Sequence, residues 1–546
     1  MLTKFLRLAA IICACIISPA ISFAQDSTTV AKKVGIDEKI DKAFKPVADK
    51  WEGIVMYPVN IAGNQVPIVV LLLVVGALFF TLRFSFVNIR QFGLATRVVR
   101  GKYDELEKKG AADINTKGDV ADTIRDEGKH GEVNHFQALA TAVSGTVGLG
   151  NIAGVAIAIA MGGPGATFWM IICGLLGMSS KFVECTLGVK YRDINEKGTV
   201  FGGPMYYLSK GFSEKGMAGL GKALAIIFAI FCIGGSLGGG NAFQANQATQ
   251  QIVKQFNIGG SSTGFIIGVI IAGIVGLIII GGIKRIATVT EKMVPAMAII
   301  YIIACLIIIF MNFGYIDDAF RMVFTEAFTP RAGLGGMVGV LIIGFRRAAF
   351  SNEAGAGSAS IAHSAVKTRY PASEGIVSLL EPFIDTVVIC TMTALVIIIY
   401  NQGGVFNYGS TVGGEVVINA TGATVKGVDL TSMAFDKNIP HFSYVLTIAV
   451  FLFALSTMIS WSYYGLQAWK YIFGRGKTSD MVYKLLFLAF VILGASVSLG
   501  AVTQFSDAMI LAMVFPNMFG LFFLFPRVKE EFNRYLTAIK NYKTKK

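Results

Sequence analysis

Long apolar runs separated by short polar loops extend over most of this chain of 546 residues. The first run covers about 66–80 and is short, and ten more follow it, each close to the roughly 20 residues that a helix needs to cross a lipid bilayer. The pattern predicts an all-α polytopic membrane protein with about 11 transmembrane helices. The ten later runs are 135–160, 165–190, 220–250, 262–283, 293–313, 334–364, 373–400, 441–466, 482–502 and 507–526.

The first residues of the chain have the pattern of an export signal. Two basic residues precede a short apolar stretch that ends in the small residues Ser22-Phe-Ala24. We predict a signal peptide over 1–24 that is removed, and a polar exported segment over 25–64. An uncleaved first helix is the alternative, but its apolar core is short and contains Pro19.

Charge sets the expected orientation. Lys and Arg collect in the loops between alternate apolar runs, whereas the loop over 401–440 contains only two lysines. Basic loops stay in the cytoplasm, so we predict a bacterial inner-membrane protein with a periplasmic mature N-terminus and a basic cytoplasmic tail over 527–546. This distribution accounts for the formal net charge of +14 without nucleic-acid binding. With 54% hydrophobic and 15% charged residues, the composition also excludes an ordinary soluble domain and makes the lipid bilayer a partner.

Two of the apolar runs contain glycine-rich polar interruptions. They are Ser144-Gly-Thr-Val-Gly-Leu-Gly-Asn-Ile-Ala-Gly-Val155 and Phe350-Ser-Asn-Glu-Ala-Gly-Ala-Gly-Ser358. Each glycine costs a helix up to about 1 kcal/mol, and in lipid a broken helix persists only where its freed backbone groups are buried in protein or line a cavity. Close packing through small residues is the alternative.

The two interruptions fall at matching places in two groups of five runs. We therefore predict a five-helix unit over 135–313 repeated in inverted orientation over 334–526, preceded by an extra transmembrane helix and a cytoplasmic loop over 65–134. Paired broken helices of this kind indicate a transporter's binding site. Their helix ends suit a carboxylate and a small cation.

A third element supports a cation site. Ser456, Thr457 and Ser460 place hydroxyl oxygens on one face of the eighth of the ten runs. Neutral hydroxyl and carbonyl oxygens suit an alkali cation, although back-bonding to the preceding turn is the usual role of such hydroxyls. No His-Glu-x-x-His motif indicates a metalloprotease.

Four long motifs occur in order along the chain. They are Val147-Gly-Leu-Gly-Asn-Ile-Ala-Gly-Val-Ala156, Gly162-Gly-Pro-Gly-Ala-Thr-Phe-Trp-Met170, Phe350-Ser-Asn-Glu-Ala-Gly-Ala-Gly-Ser358 and Ser460-Trp-Ser-Tyr-Tyr-Gly465. Together they resemble the alanine or glycine:cation symporter family, and the resemblance covers nearly everything after about Pro58. It implies a leucine-transporter-like fold and a symporter that imports a small neutral amino acid, alanine or else glycine or serine, with sodium by alternating access. Proton coupling and an ion channel are the alternatives. No prosthetic group and no obligate protein partner are expected.

The resemblance also implies the residues of the site. The chain has Leu149 where the family commonly has threonine, and Ile171 where it usually has tryptophan, so the preferred amino acid and ion stay open. The substrate carboxylate is expected on the backbone amides of Gly148, Leu149 and Gly150. Pocket walls are expected at Gln244, Phe350, Asn352 and Trp461. Sodium is expected on the carbonyls of Ser144 and Val147 and the hydroxyls of Ser456 and Thr457.

Other residues receive weaker expectations. Glu353 is expected to cap or gate the sixth run. Glu184 lies close to Lys181 and Lys190 in sequence and is expected to form a structural or gating ion pair, with a proton carrier as the alternative. The exported segment over 25–64 is expected to be dispensable for transport. No partner follows from the sequence for Arg346, Arg347, Asp385 or Asp507, and the histidines expected at the membrane interface are His135, His363 and His441.

Overall fold

The structure is a computed structural model that describes residues 36–61, 63–108, 132–195, 198–260, 262–280, 282–328, 336–409 and 414–544. The predicted signal peptide and the first part of the exported segment lie outside these residues. The described chain is almost entirely helical, as the apolar runs predict.

The helices are named in chain order. The first five are α1 (Ile36–Val55), α2 (Ile68–Arg83), α3 (Val87–Arg90), α4 (Phe92–Val99) and α5 (Asp104–Lys108). The next nine are α6 (His135–Thr146), α7 (Val155–Gly162), α8 (Gly165–Lys190), α9 (Pro204–Ser213), α10 (Ala218–Leu237), α11 (Phe243–Phe256), α12 (Thr263–Ile279), α13 (Gly282–Met311) and α14 (Ile316–Glu326). The last nine are α15 (Gly336–Asn352), α16 (Ala359–His363), α17 (Pro371–Val377), α18 (Leu380–Pro382), α19 (Thr391–Tyr400), α20 (Val428–Asn438), α21 (Phe442–Phe473), α22 (Lys477–Ser496) and α23 (Leu499–Thr544).

Short irregular elements join these helices. A 3₁₀ turn forms at Phe313–Tyr315, and π-helical turns form at Gly150–Gly154, Gly238–Ala242 and Phe383–Cys390. Three two-stranded antiparallel hairpins lie in loops. They pair β1 (Pro58–Ile61) with β2 (Asn64–Pro67), β3 (Asp193–Ile194) with β4 (Val200–Phe201), and β5 (Val416–Val417) with β6 (Thr424–Val425).

Several of the described helices have the length and composition of membrane spans. Among the described residues, seven helices are long and apolar enough to cross a bilayer, or eight if the bent pair α6 and α7 counts as one span. The helices α2 and α12 are apolar but shorter. The total of 11 spans and the inverted repeat stay predictions. The seven are Gly165–Lys190, Ala218–Phe256, Gly282–Met311, Pro371–Tyr400, Phe442–Phe473, Lys477–Ser496 and Leu499–Thr544.

One helix shows how the fold meets lipid. On α13, Ile299, Ile303 and Ile307 are exposed at a spacing of four residues, whereas Tyr301 and Cys305 are buried. A regular row of exposed isoleucines suits hydrocarbon rather than water. The helix therefore presents one face to lipid and the other to the protein.

The first predicted interruption is a real break. The helix α6 begins with a capping box, in which the Asn134 side chain accepts from the Gln137 N–H at 2.8 Å and the Gln137 side chain accepts from the Asn134 N–H at 3.2 Å. It ends at Thr146, and the helical segment Gly150–Gly162 continues at an angle of 50°. Residues 147–149 therefore leave the helix inside an apolar run.

The second predicted interruption is also present. The helix α15 ends at Asn352 and α16 begins at Ala359. Between them, Glu353, Gly355 and Gly357 have φ values of 55°, 93° and 87°. Positive φ is strained for most residues but open to glycine, so the two glycines allow the chain to leave the helix here.

Candidate functional site

The first break directs two backbone amides at side-chain oxygens. The Gly148 N–H donates to Asn151 Oδ1 at 2.8 Å, and the Leu149 N–H donates to Gln244 Oε1 at 3.0 Å. The Gln244 amide in turn donates to the Gly239 carbonyl at 2.8 Å. Gln244, predicted as a pocket wall, is thus in direct contact with an amide predicted to hold the substrate carboxylate. The break can present N–H groups to an oxygen acceptor, which is what a carboxylate requires.

A glycine permits the close approach of the helices that carry these groups. The π-helical turn between α10 and α11 contains Gly240, where a Cβ atom would lie 2.1 Å from Cγ of Trp461. Only a residue without a side chain fits at that distance. A π-helical turn adds a residue to the helix and so rotates the residues after it. Gln244 follows this turn as the second residue of α11.

The residues expected to hold sodium are only partly brought together. The Thr457 hydroxyl donates to the Ser144 carbonyl at 3.1 Å, and the Ser144 hydroxyl donates to the Ser456 carbonyl at 2.8 Å. The Ser456 hydroxyl instead donates to the Phe453 carbonyl, within its own helix. Val147 is fully buried at the start of the break. The structure therefore joins Thr457 to Ser144, whereas Ser456 reaches Ser144 through its backbone oxygen.

Phe350 lies against the first break. A Cβ atom at Gly150 would be 3.5 Å from Cδ1 of Phe350. The Phe350 ring also packs edge-on against Phe243, with ring centroids 5.2 Å apart, and it is buried. The predicted wall residue thus touches the element that carries the predicted carboxylate-binding amides.

Trp461 connects the two breaks. Its indole N–H donates to the Gly145 carbonyl at 3.2 Å and to Oε1 of Glu353 at 3.0 Å. The other oxygen of the Glu353 carboxylate accepts from the Ser358 hydroxyl at the far end of the second break. Glu353 therefore spans this break through side-chain contacts, and its role as a cap or gate of the sixth run stays a prediction.

Asn352 contacts a different neighbour. Its side-chain N–H donates to Oγ1 of Thr386 at 2.9 Å, and its Oδ1 accepts from the Ala354 N–H at 3.0 Å. These hydrogen bonds end α15 and tie it to the π-helical turn before α19. They do not reach the first break, so its role as a wall of the pocket stays a prediction.

A buried carboxylate that the sequence left without a role joins the same two breaks. Asp385 is fully buried, and its Oδ1 accepts from the Asn151 amide at 2.6 Å and from the Ser351 hydroxyl at 3.1 Å. Its Oδ2 accepts from the Thr386 hydroxyl at 2.7 Å. An acidic residue within an apolar run is the signal that could have identified it. Asn151 thus contacts both Asp385 and the Gly148 amide.

Two of the histidines expected at the membrane interface are buried within the protein. The two ring nitrogens of His135 contact Glu374 and Glu107, the latter at 2.7 Å. Those of His363 contact Glu374 at 2.5 Å and Glu381 at 3.4 Å. Both lie at helix ends, and carboxylates on neighbouring helices compensate their burial. Their position relative to the membrane surface stays a prediction. The third histidine, at the start of α21, is exposed.

Glu184 does not contact the lysines considered for it. Its Oε1 accepts from the Asn517 side chain at 2.9 Å. Lys181 and Lys190 pair with other glutamates, at 3.0 Å and 2.8 Å. Both partners come from other helices, so spacing along the sequence could not identify them.

Comparison with known proteins gives the family. The model of the sodium:alanine symporter family matches residues 54–546. The sodium/alanine symporter AgcS of Methanococcus maripaludis is 37% identical over 459 residues, which cover 84% of this chain and 92% of that protein. The putative sodium/proton-dependent alanine carrier YrbD of Bacillus subtilis is 35% identical over 405 residues, 73% of this chain and 80% of its own. The probable sodium/glutamine symporter GlnT of Bacillus subtilis is 30% identical over 484 residues, 88% of each chain. Because the family match covers most of its length, this chain belongs to the sodium:alanine symporter family.

Proposed function

We propose that this secondary transporter imports a small neutral amino acid, with alanine as the first candidate, together with sodium. The observation that carries the proposal is the first break, where two backbone amides point at oxygen acceptors beside the contact of Thr457 with Ser144. The family is one of secondary transporters and not of enzymes. Its members' names include alanine and glutamine as substrates.

The carboxylate of the substrate is proposed to replace side-chain oxygens that the amides now contact. Gln244 Oε1 accepts from Leu149, and Asn151 Oδ1 accepts from Gly148. A carboxylate accepts stronger hydrogen bonds than an amide oxygen does because it is charged. Binding would release Gln244 from the first break and so link substrate binding to α11.

Sodium is proposed to bind where Thr457 meets Ser144. The two atoms, Thr457 Oγ1 and the Ser144 carbonyl oxygen, already lie 3.1 Å apart. Hard cations such as sodium prefer oxygen ligands, and unwound carbonyls and helix ends supply them in transporters with broken helices. A proton would bind these neutral oxygens poorly, which favours sodium over the proton as the coupling ion.

The walls of the site favour a small side chain. Phe350 and Trp461 are both buried and lie beside the first and second breaks. Exclusion of larger amino acids would then be steric, and each extra methylene is typically worth about 1–3 kcal/mol in such a pocket. Alanine, glycine and serine are the candidates, and glutamine would need a wider pocket.

The proposed orientation follows from the charged loops. The C-terminal part of α23 carries Lys and Arg up to Lys543, and the loop after α2 is also basic. Basic segments favour the cytoplasmic side. We therefore place the C-terminus in the cytoplasm and α1 on the periplasmic side of a bacterial inner membrane.

Thr457→Ala is expected to weaken sodium activation of alanine uptake about tenfold with less effect on the maximal rate. The substitution removes one oxygen ligand and leaves the Ser144 carbonyl in place, and about 1.4 kcal/mol corresponds to a factor of ten. The measurement is uptake of labelled alanine into proteoliposomes at increasing sodium, with potassium-only and proton-gradient arms.

Ser462→Ala is the matched control on the same helix. The Ser462 hydroxyl donates to the Ile459 carbonyl of its own helix at 2.6 Å, and we expect its removal to leave sodium activation unchanged. Equal sodium activation in Thr457→Ala and the parent protein would place the cation elsewhere. Uptake under a proton gradient without sodium would identify the proton as the coupling ion. Saturable uptake of glutamine but not of alanine would identify glutamine as the substrate.

A further inference from the structure

The exported helix α1 packs on the helices of the transport core. Its buried side is a stripe at helical spacing that includes Ala48 and Val55. The opposite side, including Asp49, is exposed. The contacts with the core are Phe44 with Phe505 (ring centroids 5.1 Å apart), Trp51 with Phe231 (5.7 Å), and Asp41 Oδ1 accepting from the Ser498 N–H (2.8 Å).

The same helix supplies one member of a cluster of four charges, which we call the α1 charge cluster: Glu52, Arg346, Arg347 and Asp507. Nε of Arg346 lies 2.9 Å from Oδ2 of Asp507, and its guanidinium also pairs with Glu52. Arg347 pairs with Asp507 as well. Two guanidiniums thus face two carboxylates. The cluster gives the two arginines of α15 the partners that the sequence did not reveal.

The cluster joins three separate helices. Glu52 comes from α1, the arginines from α15, and Asp507 from α23. Asp507 is fully buried and Arg347 nearly so, whereas Glu52 and Arg346 are about one fifth exposed. Glu52 therefore reaches the cluster from its open side and adds α1 to a contact that already holds α15 against α23.

The α1 charge cluster lies one helical turn from the proposed pocket wall. The Arg347 guanidinium is 5.5 Å from the centroid of the Phe350 ring. On α23, Ile510 follows Asp507 by three residues, and both Ile510 and Phe350 lie beside Gly239. A path to the pocket between α15 and α23 would have to separate the members of the cluster.

We propose that α1 covers the substrate site on its own side of the membrane and that Glu52 holds this cover closed through Arg346. Its role in transport rests on the proposed function. Loss of Glu52 leaves two guanidiniums facing one carboxylate, and an uncompensated charge in a partly buried cluster raises the energy of the closed state. The family match begins at residue 54, so most of α1 lies outside the matched region. The prediction that the segment over 25–64 is dispensable for transport is untested, and this inference gives its helical part a role in closing the site.

The test measures access to the site without relying on transport. Ile510→Cys places a thiol beneath the cluster, and the five cysteines in the described part of the chain are buried. A membrane-impermeant maleimide is applied to full-length protein in vesicles of either orientation. Glu52→Gln is expected to raise the labelling rate from the α1 side about twofold to fivefold, the upper part of the range for loss of one partly exposed ion pair that biases a two-state equilibrium.

Asp49→Asn is the matched control, since it removes a carboxylate from the exposed side of the same helix. It is expected to leave the labelling rate unchanged. Arg346→Gln removes the pair with Glu52 together with the pair between Arg346 and Asp507, so it should raise the rate at least as much as Glu52→Gln does. Adding Glu52→Gln to Arg346→Gln should change nothing further, because Glu52 has then already lost its partner. Equal rates for Glu52→Gln and Asp49→Asn, additive effects of Glu52→Gln and Arg346→Gln, or increased labelling only from the opposite side would each overturn the proposal. Increased labelling without alanine uptake by the parent protein would overturn the proposed function and leave this inference standing.

Discussion

Gly148→Ala is expected to reduce sodium-driven alanine uptake by at least about tenfold. A Cβ atom at residue 148 would lie 2.3 Å from Oγ1 of Thr457 and 3.1 Å from Oε1 of Gln244. To make room, Thr457 would have to turn away from the Ser144 carbonyl, which it contacts at 3.1 Å. Overpacking of this kind costs about 1–3 kcal/mol, and here it acts on the proposed sodium and carboxylate sites together. Uptake into proteoliposomes at saturating sodium and alanine measures the loss.

Gly154→Ala is the control for this prediction. It lies in the same broken helix, and a Cβ atom there would meet nothing within 4 Å. We expect uptake close to that of the parent protein, since alanine favours helical conformation over glycine. Comparable losses in both variants would mean that the helix, and not the approach of Thr457 and Gln244 to residue 148, limits transport.

Lys181→Met is expected to lower the free energy of unfolding by about 3–5 kcal/mol. The Lys181 ammonium lies 3.0 Å from Oε1 of Glu381, and both side chains are fully buried. Without the lysine, Glu381 keeps only the longer contact with His363, at 3.4 Å, and His363 is shared with Glu374. Removing one partner of a buried ion pair in this way accounts for the large effect. Thermal unfolding of the purified protein in detergent measures it through the midpoint temperature.

The double variant Lys181→Met with Glu381→Gln separates charge from packing. Neutralising Glu381 removes the uncompensated carboxylate, so we expect the double variant to recover much of the lost stability. His363 still lies beside residue 381, at 3.4 Å in the parent protein. A double variant no more stable than Lys181→Met would show that the packing of the lysine chain, and not its charge, stabilises this region.

The two broken helices could be predicted because their signals are local. Glycines and polar residues interrupt apolar runs at positions 144–155 and 350–358, and the structure breaks the helices within both stretches. Thr457 was predicted as a cation ligand together with the Ser144 carbonyl, and the structure places these two groups 3.1 Å apart, while the binding of a cation there stays a prediction.

The partners of these residues could not be predicted because they are distant in sequence. Gln244 contacts a residue 95 positions earlier, and Asn151 contacts one 234 positions later. No spacing rule links such positions, and the chemistry of a carboxylate such as Asp385 does not say which amide will face it. The sequence therefore predicts the first break but not which side-chain oxygens accept hydrogen bonds from its backbone amides.

The last helix extends beyond the span predicted over 507–526. It continues through Pro526, the last residue of that span, to Thr544. Proline disrupts a helix interior by removing one hydrogen bond, but contacts beyond it hold the continuation. Tyr535 is buried there, and its hydroxyl donates to Glu107 at 3.1 Å. The tail predicted over 527–546 is thus largely an extension of the last helix.

The position of Trp461 gives the protein an intrinsic optical reporter. Its indole N–H donates to Gly145 in α6 and to Glu353 in the second break, so its surroundings depend on both half-helices at once. The chain has four tryptophans, and the other three are Trp51, Trp169 and Trp469. Replacing those three with phenylalanine would leave a single emitter, whose fluorescence wavelength would follow the polarity around the site as sodium or alanine is added.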